Sequence, residues 1–530
     1  MLKVRAKIFT LFIIQPTMRL LLPLLIITIH SFAQQPNIIY IMSDDHDADA
    51  ISAYNKKFIS TPNIDRLAKE GMLFKNSFVA NSICGPARAT LITGQHSHKN
   101  GMKDNRTIFD SSKITLPKLL KPAGYQSAII GKWHLVSYPT GFDYWKILPG
   151  QGLYYDPRMI NMNGDTAVIK GYATDVITDE ALNWLENRNK QKPFLLLYHH
   201  KAPHRNFVPK LKWLEVFSKR TFPEPATLFA DMKQHGKAWQ TQKMSILYDM
   251  TLGTDLKVDP YYLNQIPGFK IDSADARGYH ATMNRIPEAD RNRMKEIYAE
   301  RGKALLNVWG NDSLVLKLKY QWYIQDFMAC VASIDENIGR LLDYLDKNNL
   351  TNNTVVIYTG DQGFYLGENG WFDKRWMYDV SMQSPLLIRW PGHIKPGSVT
   401  TSLVQNIDYA PTLLDIAGVK IPEWMQGISL KSLLTGKQNV LTRKSLYYHY
   451  YEYPIDHYVV PHLGVRGERY KLIYFYTVNE WELYDLKTDP TEQKNLINSP
   501  THKTILQQMK KELLRLRNVY DDHEPAGELN

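Results

Sequence analysis

The chain has 530 residues and carries 64 Lys and Arg against 53 Asp and Glu, a formal net charge of +11. With 44% hydrophobic and 22% charged residues it has ordinary globular usage, which excludes a disordered or low-complexity protein and allows one large domain with a smaller companion. Two cysteines, Cys84 and Cys330, exclude a disulfide framework and a multi-thiolate metal site, and basic residues without a run of five argue against nucleic acid as a partner.

Residues 1–33 contain Lys3, Arg5, Lys7 and Arg19, no acid, and the apolar stretch Leu20–Ile29. Ser31-Phe32-Ala33 then places small residues where a signal peptidase reads them, so a signal peptide is expected, with synthesis starting at Met1 or Met18 and the mature chain near Gln34. The apolar stretch is shorter than the ~20 residues a membrane span needs, and no cysteine precedes Cys84 to carry a lipid. The expected protein is therefore exported, to a periplasm or beyond, with no membrane anchor and not as a lipoprotein. Removal of the signal takes four basic residues and no acids, so the charge falls to +7.

After Pro36 the run Ile38–Met42 is continuously apolar and reads as a buried parallel strand, ending in Ser43-Asp44-Asp45-His46-Asp47. Ser127–Ile130 precedes Gly131-Lys132-Trp133-His134, Phe194–Tyr198 precedes His199 to His204, and Val355–Thr359 precedes Gly360-Asp361-Gln362-Gly363. Each strand thus delivers ionisable residues at its C-terminal end, where open α/β sheets bind ligands. Ile324, Phe327, Val331, Ile334, Ile338, Leu341 and Leu345 recur at helical spacing, and Cys330 reads as a buried packing residue of that helix. Residues from about 205 to 319 form a weakly periodic insertion over the sheet face. A helix is expected near 409–417, and the aromatic stretch 445–486 with an amphipathic helix near 505–519 reads as a smaller sheet-plus-helix domain over residues 437–530, after a large domain spanning 34–436.

Asp44 and Asp45, with Asp361 and Gln362 from another strand end, offer four oxygen donors suited to a hard cation, Ca²⁺ in preference to Mg²⁺. The same acids would also serve a turn or helix cap. Cys84 lies in Cys84-Gly85-Pro86-Ala87-Arg88, where Pro86 at a first helical position puts the thiol at a helix N-terminus. Such a position favours anions and lowers a thiol pKa, and Arg88 adds a forked donor for an oxyanion.

Cys84-Gly85-Pro86-Ala87-Arg88 resembles the Cys-x-Pro-x-Arg signature of the formylglycine-dependent (type I) sulfatases, as does Ala89-Thr90-Leu91-Ile92-Thr93-Gly94. The likeness continues through Asn37 to Asp45, Gly131 to Leu135, Ala202-Pro203-His204, Asp361 to Arg375, Arg389-Trp390-Pro391-Gly392 and Glu482 to Leu486, in family order over nearly all of the mature chain.

The resemblance implies an alkaline-phosphatase-like α/β fold: a large, mostly parallel central sheet flanked by helices, plus a smaller C-terminal domain with antiparallel sheet and helix. It implies that a formylglycine-generating enzyme oxidises Cys84, and that the hydrated aldehyde attacks sulfur and later expels sulfate. By family position Asp44, Asp45, Asp361, Gln362 and modified Cys84 would ligate one Ca²⁺. Arg88 and Lys132 would hold the formylglycine, His134 would take the proton that triggers sulfate release, and His204 and Lys374 would bind sulfate oxygens, one of the two protonating the leaving oxygen. Ala87 stands where Ser is usual, and Gln362 where Asn or His is usual.

The stretch Gly363 to Arg375 resembles carbohydrate sulfatases of bacteria, N-acetylglucosamine-6-sulfatase-like members among them, so a sulfated oligosaccharide or polysaccharide of animal or algal origin is the expected substrate. Residues 449–466 are similar to a C-terminal loop that reaches the substrate pocket in that branch. His462 and Arg466, with Asn105 and Arg106, are the expected sugar contacts. The alternatives are a formylglycine-dependent phosphonate monoester or phosphodiester hydrolase, and a non-catalytic binder of sulfated glycans.

Overall fold

The apolar run after Pro36 forms the strand Asn37–Asp44, buried along its whole length at the centre of the molecule. The structure, a computed structural model, describes residues 35–231, 235–527 and 529. The expected signal segment, residues 1–33, lies outside them. Asn37–Asp44 pairs in parallel with Thr354–Gly360 on one side and Phe194–Pro203 on the other, and Gln126–Lys132 and Tyr144–Leu148 extend the parallel block. Antiparallel and short edge strands complete a ten-stranded sheet among the described residues.

The strand sequences are continuously apolar because helices cover both faces. Ile39 and Ile41 enter one hydrophobic cluster, with Val176 and Ile177 of the helix Ala173–Asn187 and with Ile324, Phe327 and Ile334 of the helix Asp312–Lys347. Ile38, Tyr40 and Met42 enter the other, with Leu91 of the helix Cys84–Thr93 and Leu413 of the helix Tyr409–Ile416. Each fully buried Ile or Leu contributes about 1.5–3 kcal/mol. Cys330 is fully buried in the first cluster, near the Tyr172 hydroxyl at 3.9 Å.

The helix expected from Ile324 begins earlier, at Asp312, where Asn311 accepts from the Leu314 amide. The expectation starts later because Lys319, a charged residue that the fold buries, interrupts the apolar stripe in the first turns. The segment 205–319 folds largely as helices, among them Ser273–Met283, capped by Asp272, and Glu288–Val308. Ser445–Tyr450, His462–Gly467, Tyr470–Phe475 and Glu480–Asp485 form a four-stranded antiparallel sheet. The helix Lys503–Val519 packs on it through Leu513 and Leu516. No helix among the described residues is long and apolar enough to cross a membrane.

Candidate active site

The C-terminal ends of the central parallel strands converge on one cluster. Asp44 closes its strand, Lys132 ends the neighbouring strand but one, and Asp361 follows the strand Thr354–Gly360 directly. Gly131 lets these ends approach: its φ is +102°, and a Cβ there would sit 1.9 Å from the His199 carbonyl oxygen. Several non-glycine residues here also adopt left-handed backbone, namely Asp45, His134, Asp373, Arg375 and His457. Such conformations cost energy and concentrate at functional sites.

Cys84 opens the helix Cys84–Thr93 and is fully buried. The helix starts at Cys84 itself, which places Pro86 two residues inside. Asn105 Oδ1 accepts from the Gly85 amide at 2.9 Å and secures this first turn. Arg88 reaches across to Asp361 with Nε at 3.1 Å and Nη2 at 2.9 Å, and Nη1 donates to the Lys132 carbonyl at 2.8 Å. Lys132 pairs with Asp44 and with Gln151. Lys374 Nζ lies 2.7 Å from both oxygens of Asp45, and Gln362 Nε2 donates to Asp45 Oδ1 at 2.5 Å. His204 turns Nε2 towards Asp45 Oδ2 at 3.7 Å.

These pairings set the charge of the site. Burial pushes the Asp44 carboxyl up, but Lys132, His204 and Arg88 outweigh it and hold Asp44 well below the usual range. Burial raises Asp45 to about 7 against the pull of Lys374. Burial, seconded for His134 by Lys132, keeps His134 and His204 well below the ordinary histidine value. The Cys84 thiol goes against the helix-terminus expectation. Burial drives its pKa well up, and the nearby Lys132 and Lys374 only partly offset this, so a free thiol here is not a ready thiolate.

Asp44, Asp45, Cys84 and His204 present ligand atoms within 4.8 Å of one another. Asp44 Oδ1 and Gln362 Oε1 are buried oxygens without hydrogen-bond partners among the described residues. Unpaired buried oxygens are costly, and a set of hard oxygens beside a lone sulfur or its oxidised derivative fits a hard divalent cation. His204 joins this group, whereas Asp361 commits Oδ2 to Arg88 and accepts from the Asp45 amide at 3.0 Å through Oδ1.

A cavity of about 740 Å³ leads to this cluster, with His204 and Lys374 on its wall beside Asn105, Gln151, Lys201, Asp373, Arg375 and His457. Three expected sugar contacts lie elsewhere. His462 is fully buried among Trp376, Tyr448 and Phe475, accepts from the Met377 amide at 3.1 Å through Nε2 and pairs Nδ1 with the Val460 carbonyl. With both ring nitrogens bonded to backbone, it is a core residue. Arg466 forks onto Asp379 at 2.8 Å and lies over the Phe78 ring, so it fastens the small sheet to the large domain's side. Arg106 is exposed and absent from the cavity wall. The loop does reach the cavity, but through Asp456 and His457, whose Nε2 lies 3.2 Å from Asp373 Oδ2. His457, Arg375 and Lys201 were not distinguished by sequence; the only available signal was their position inside or beside motif segments.

The sulfatase family model matches residues 36–419, and the model for the C-terminal part of N-sulphoglucosamine sulphohydrolase matches residues 367–519. An N-acetylglucosamine-6-O-sulfatase of Bacteroides thetaiotaomicron is 44% identical over 529 residues, covering 96% of this chain and 92% of that protein. The solved structure of BT4656 in complex with its substrate D-glucosamine-2-N,6-O-disulfate superposes with a TM-score of 0.88 at 44% identity, over 93% of this chain and 99% of that one. A phosphonate monoester hydrolase of Agrobacterium radiobacter reaches a TM-score of 0.66 at 20% identity, over 92% of this chain and 96% of that one, a likeness of fold alone.

Proposed function

The chain belongs to the sulfatase family and is a sulfuric ester hydrolase, and from that premise we propose that it removes the 6-O-sulfate of glucosamine-type saccharides during breakdown of a sulfated polysaccharide. The observation that carries this reading is the buried, ion-paired cluster at the end of the cavity, where Cys84, Asp44, Asp45 and Asp361 meet Arg88, Lys132, His204 and Lys374. The relatives that act on 6-sulfated glucosamine, named above, supply the sugar.

Asp44, Asp45, Asp361, Gln362 and the oxidised Cys84 would hold Ca²⁺, with Arg88 steadying Asp361. When bound, the ion polarises the sulfate and activates the nucleophile. Formylglycine made from Cys84 by a generating enzyme supplies, as its hydrate, paired hydroxyls that a thiol lacks. Around these, the chain's own side chains have separate tasks. Lys132 and Arg88 keep positive charge beside position 84, which steadies a developing oxyanion. His134, whose Nδ1 has no partner among the described residues, accepts the proton released there. Lys374 and His204, on the cavity wall, receive sulfate oxygens, and His204 attends the leaving sugar oxygen. The basic, apolar residues 1–33 support export to the periplasm or beyond.

The test is sulfate release by protein co-expressed with a formylglycine-generating enzyme. N-acetylglucosamine-6-sulfate, D-glucosamine-2-N,6-O-disulfate, galactose-6-sulfate and a phenyl phosphonate monoester are offered in parallel. Release from the 6-sulfated glucosamines, with an aldehyde-mass peptide at Cys84, is expected. Preference for the phosphonate, or an unmodified Cys84 in a fully active enzyme, overturns the reading.

A further inference from the structure

His204 Nδ1 lies 2.6 Å from the Arg205 carbonyl oxygen. A carbonyl only accepts, so Nδ1 carries a hydrogen, and Nε2, which faces Asp45 and the cavity, is the nitrogen that takes up a second proton and delivers it. The orientation of His204 therefore depends on what holds the backbone immediately after it.

That backbone is gripped by charged groups of the insertion. Arg205 forks onto Asp255 at 2.7 Å through both Nε and Nη2, and Asp255 also accepts from the Thr251 amide at 2.8 Å and hydroxyl at 2.9 Å. Lys257 Nζ donates to the Asn206 carbonyl, to those of Phe207 at 2.8 Å and Asp255 at 2.7 Å, and to Asp326 at 3.2 Å. Arg301, from the helix Glu288–Val308, closes the chain with two bonds to Asp326 at 2.9 and 2.7 Å. Asp255, Lys257, Arg301 and Asp326 are all at most 3% exposed. Buried ions forfeit so much solvation that well-packed apolar residues of similar volume commonly give equal stability. Burial of the network is therefore weak evidence that it is there for stability alone. Its aim is local: Lys257 Nζ donates directly to the Asn206 and Phe207 carbonyls that follow His204, and Asp255 fixes the Arg205 side chain between them.

We infer that Asp255 and Lys257 are positioning residues, and that the insertion uses them to hold His204 with Nε2 towards the leaving oxygen. The inference rests on the reading of His204 as the group that attends that oxygen.

A double-mutant cycle tests it, with Lys257→Met and Asp255→Asn each combined with His204→Asn. A second readout is the ratio of losses on a sugar 6-sulfate, a poor leaving group, to those on 4-nitrophenyl sulfate, a good one. Each single variant is expected to lose kcat on the sugar ester by about 10–100-fold with KM little changed, and much less on the aryl ester. The double variants are expected to lose no more than His204→Asn alone. Losses that multiply in the cycle, or wild-type kcat in both positioning variants, overturn the inference. If Lys257→Met fails to fold, Asp255→Asn carries the cycle. If His204→Asn shows no leaving-group selectivity, the reading of His204 fails while the cycle still decides the coupling.

Discussion

Arg88 directs two donors, Nε at 3.1 Å and Nη2 at 2.9 Å, to a single oxygen of Asp361. With Nη1 on the Lys132 carbonyl, one side chain ties the helix that carries Cys84 to the ends of two strands. All of these groups are buried. Removing one partner of such a pair leaves an uncompensated charge, so Arg88→Ala is expected to cost about 3–5 kcal/mol of stability. Arg88→Lys keeps the charge but cannot fill all three bonds, and is expected to retain more stability while still losing most sulfate release. Urea denaturation and turnover of the same preparations check this; wild-type stability in Arg88→Ala would contradict it.

Metal dependence should appear as thermal stability. A cation that binds only the folded chain adds about 2.7 kcal/mol at a hundredfold excess over its dissociation constant. Calcium is therefore expected to raise Tm over a chelator-treated sample, and Asp44→Asn or Gln362→Ala to shrink the shift. A full shift in Asp44→Asn would place the ion elsewhere.

The small sheet contributes its own pH dependence. Glu482 is buried and accepts from the Tyr378 hydroxyl at 2.6 Å, and burial raises its pKa to about 7 from an ordinary 4.5. The folded state thus binds more protons than the unfolded one between these values. Its contribution is fully present below about 4.5 and is lost as pH rises through about 7. Glu482→Gln removes this term, so the variant should gain stability relative to wild type from pH 5 towards 7. Denaturant midpoints measured across that window decide it, and parallel profiles would refute the assignment.

His462 offers a contrast with the cavity residues. Because both ring nitrogens bond backbone inside an aromatic core, His462→Ala is expected to destabilise the fold by about 2–4 kcal/mol and leave KM for the sugar ester unchanged. His457→Ala, on the cavity wall, is expected to raise KM with little change in Tm. The reverse pattern would restore His462 as a sugar contact.

The parallel strands were legible because a strand covered on both faces must be apolar throughout, and Ile38–Met42, Phe194–Tyr198 and Val355–Thr359 are. The helix at Cys84 was legible from Pro86 and the short run after it. The loop contacts were not. His462 and His457 stand five residues apart in one aromatic stretch, yet one enters the core and the other the cavity.

The amino-acid sequence by itself determined the four central strands, the helices at Cys84, after Ile324, near 409 and near 505, and the polar residues at each strand end, since these depend on local periodicity and capping. Only the tertiary structure decided which side chains share the cavity, why the Cys84 thiol is raised rather than lowered, and what the insertion grips. Those outcomes depend on burial and on bonds between distant segments, such as Lys257 to Asp326 or Arg88 to Asp361, which no local pattern records.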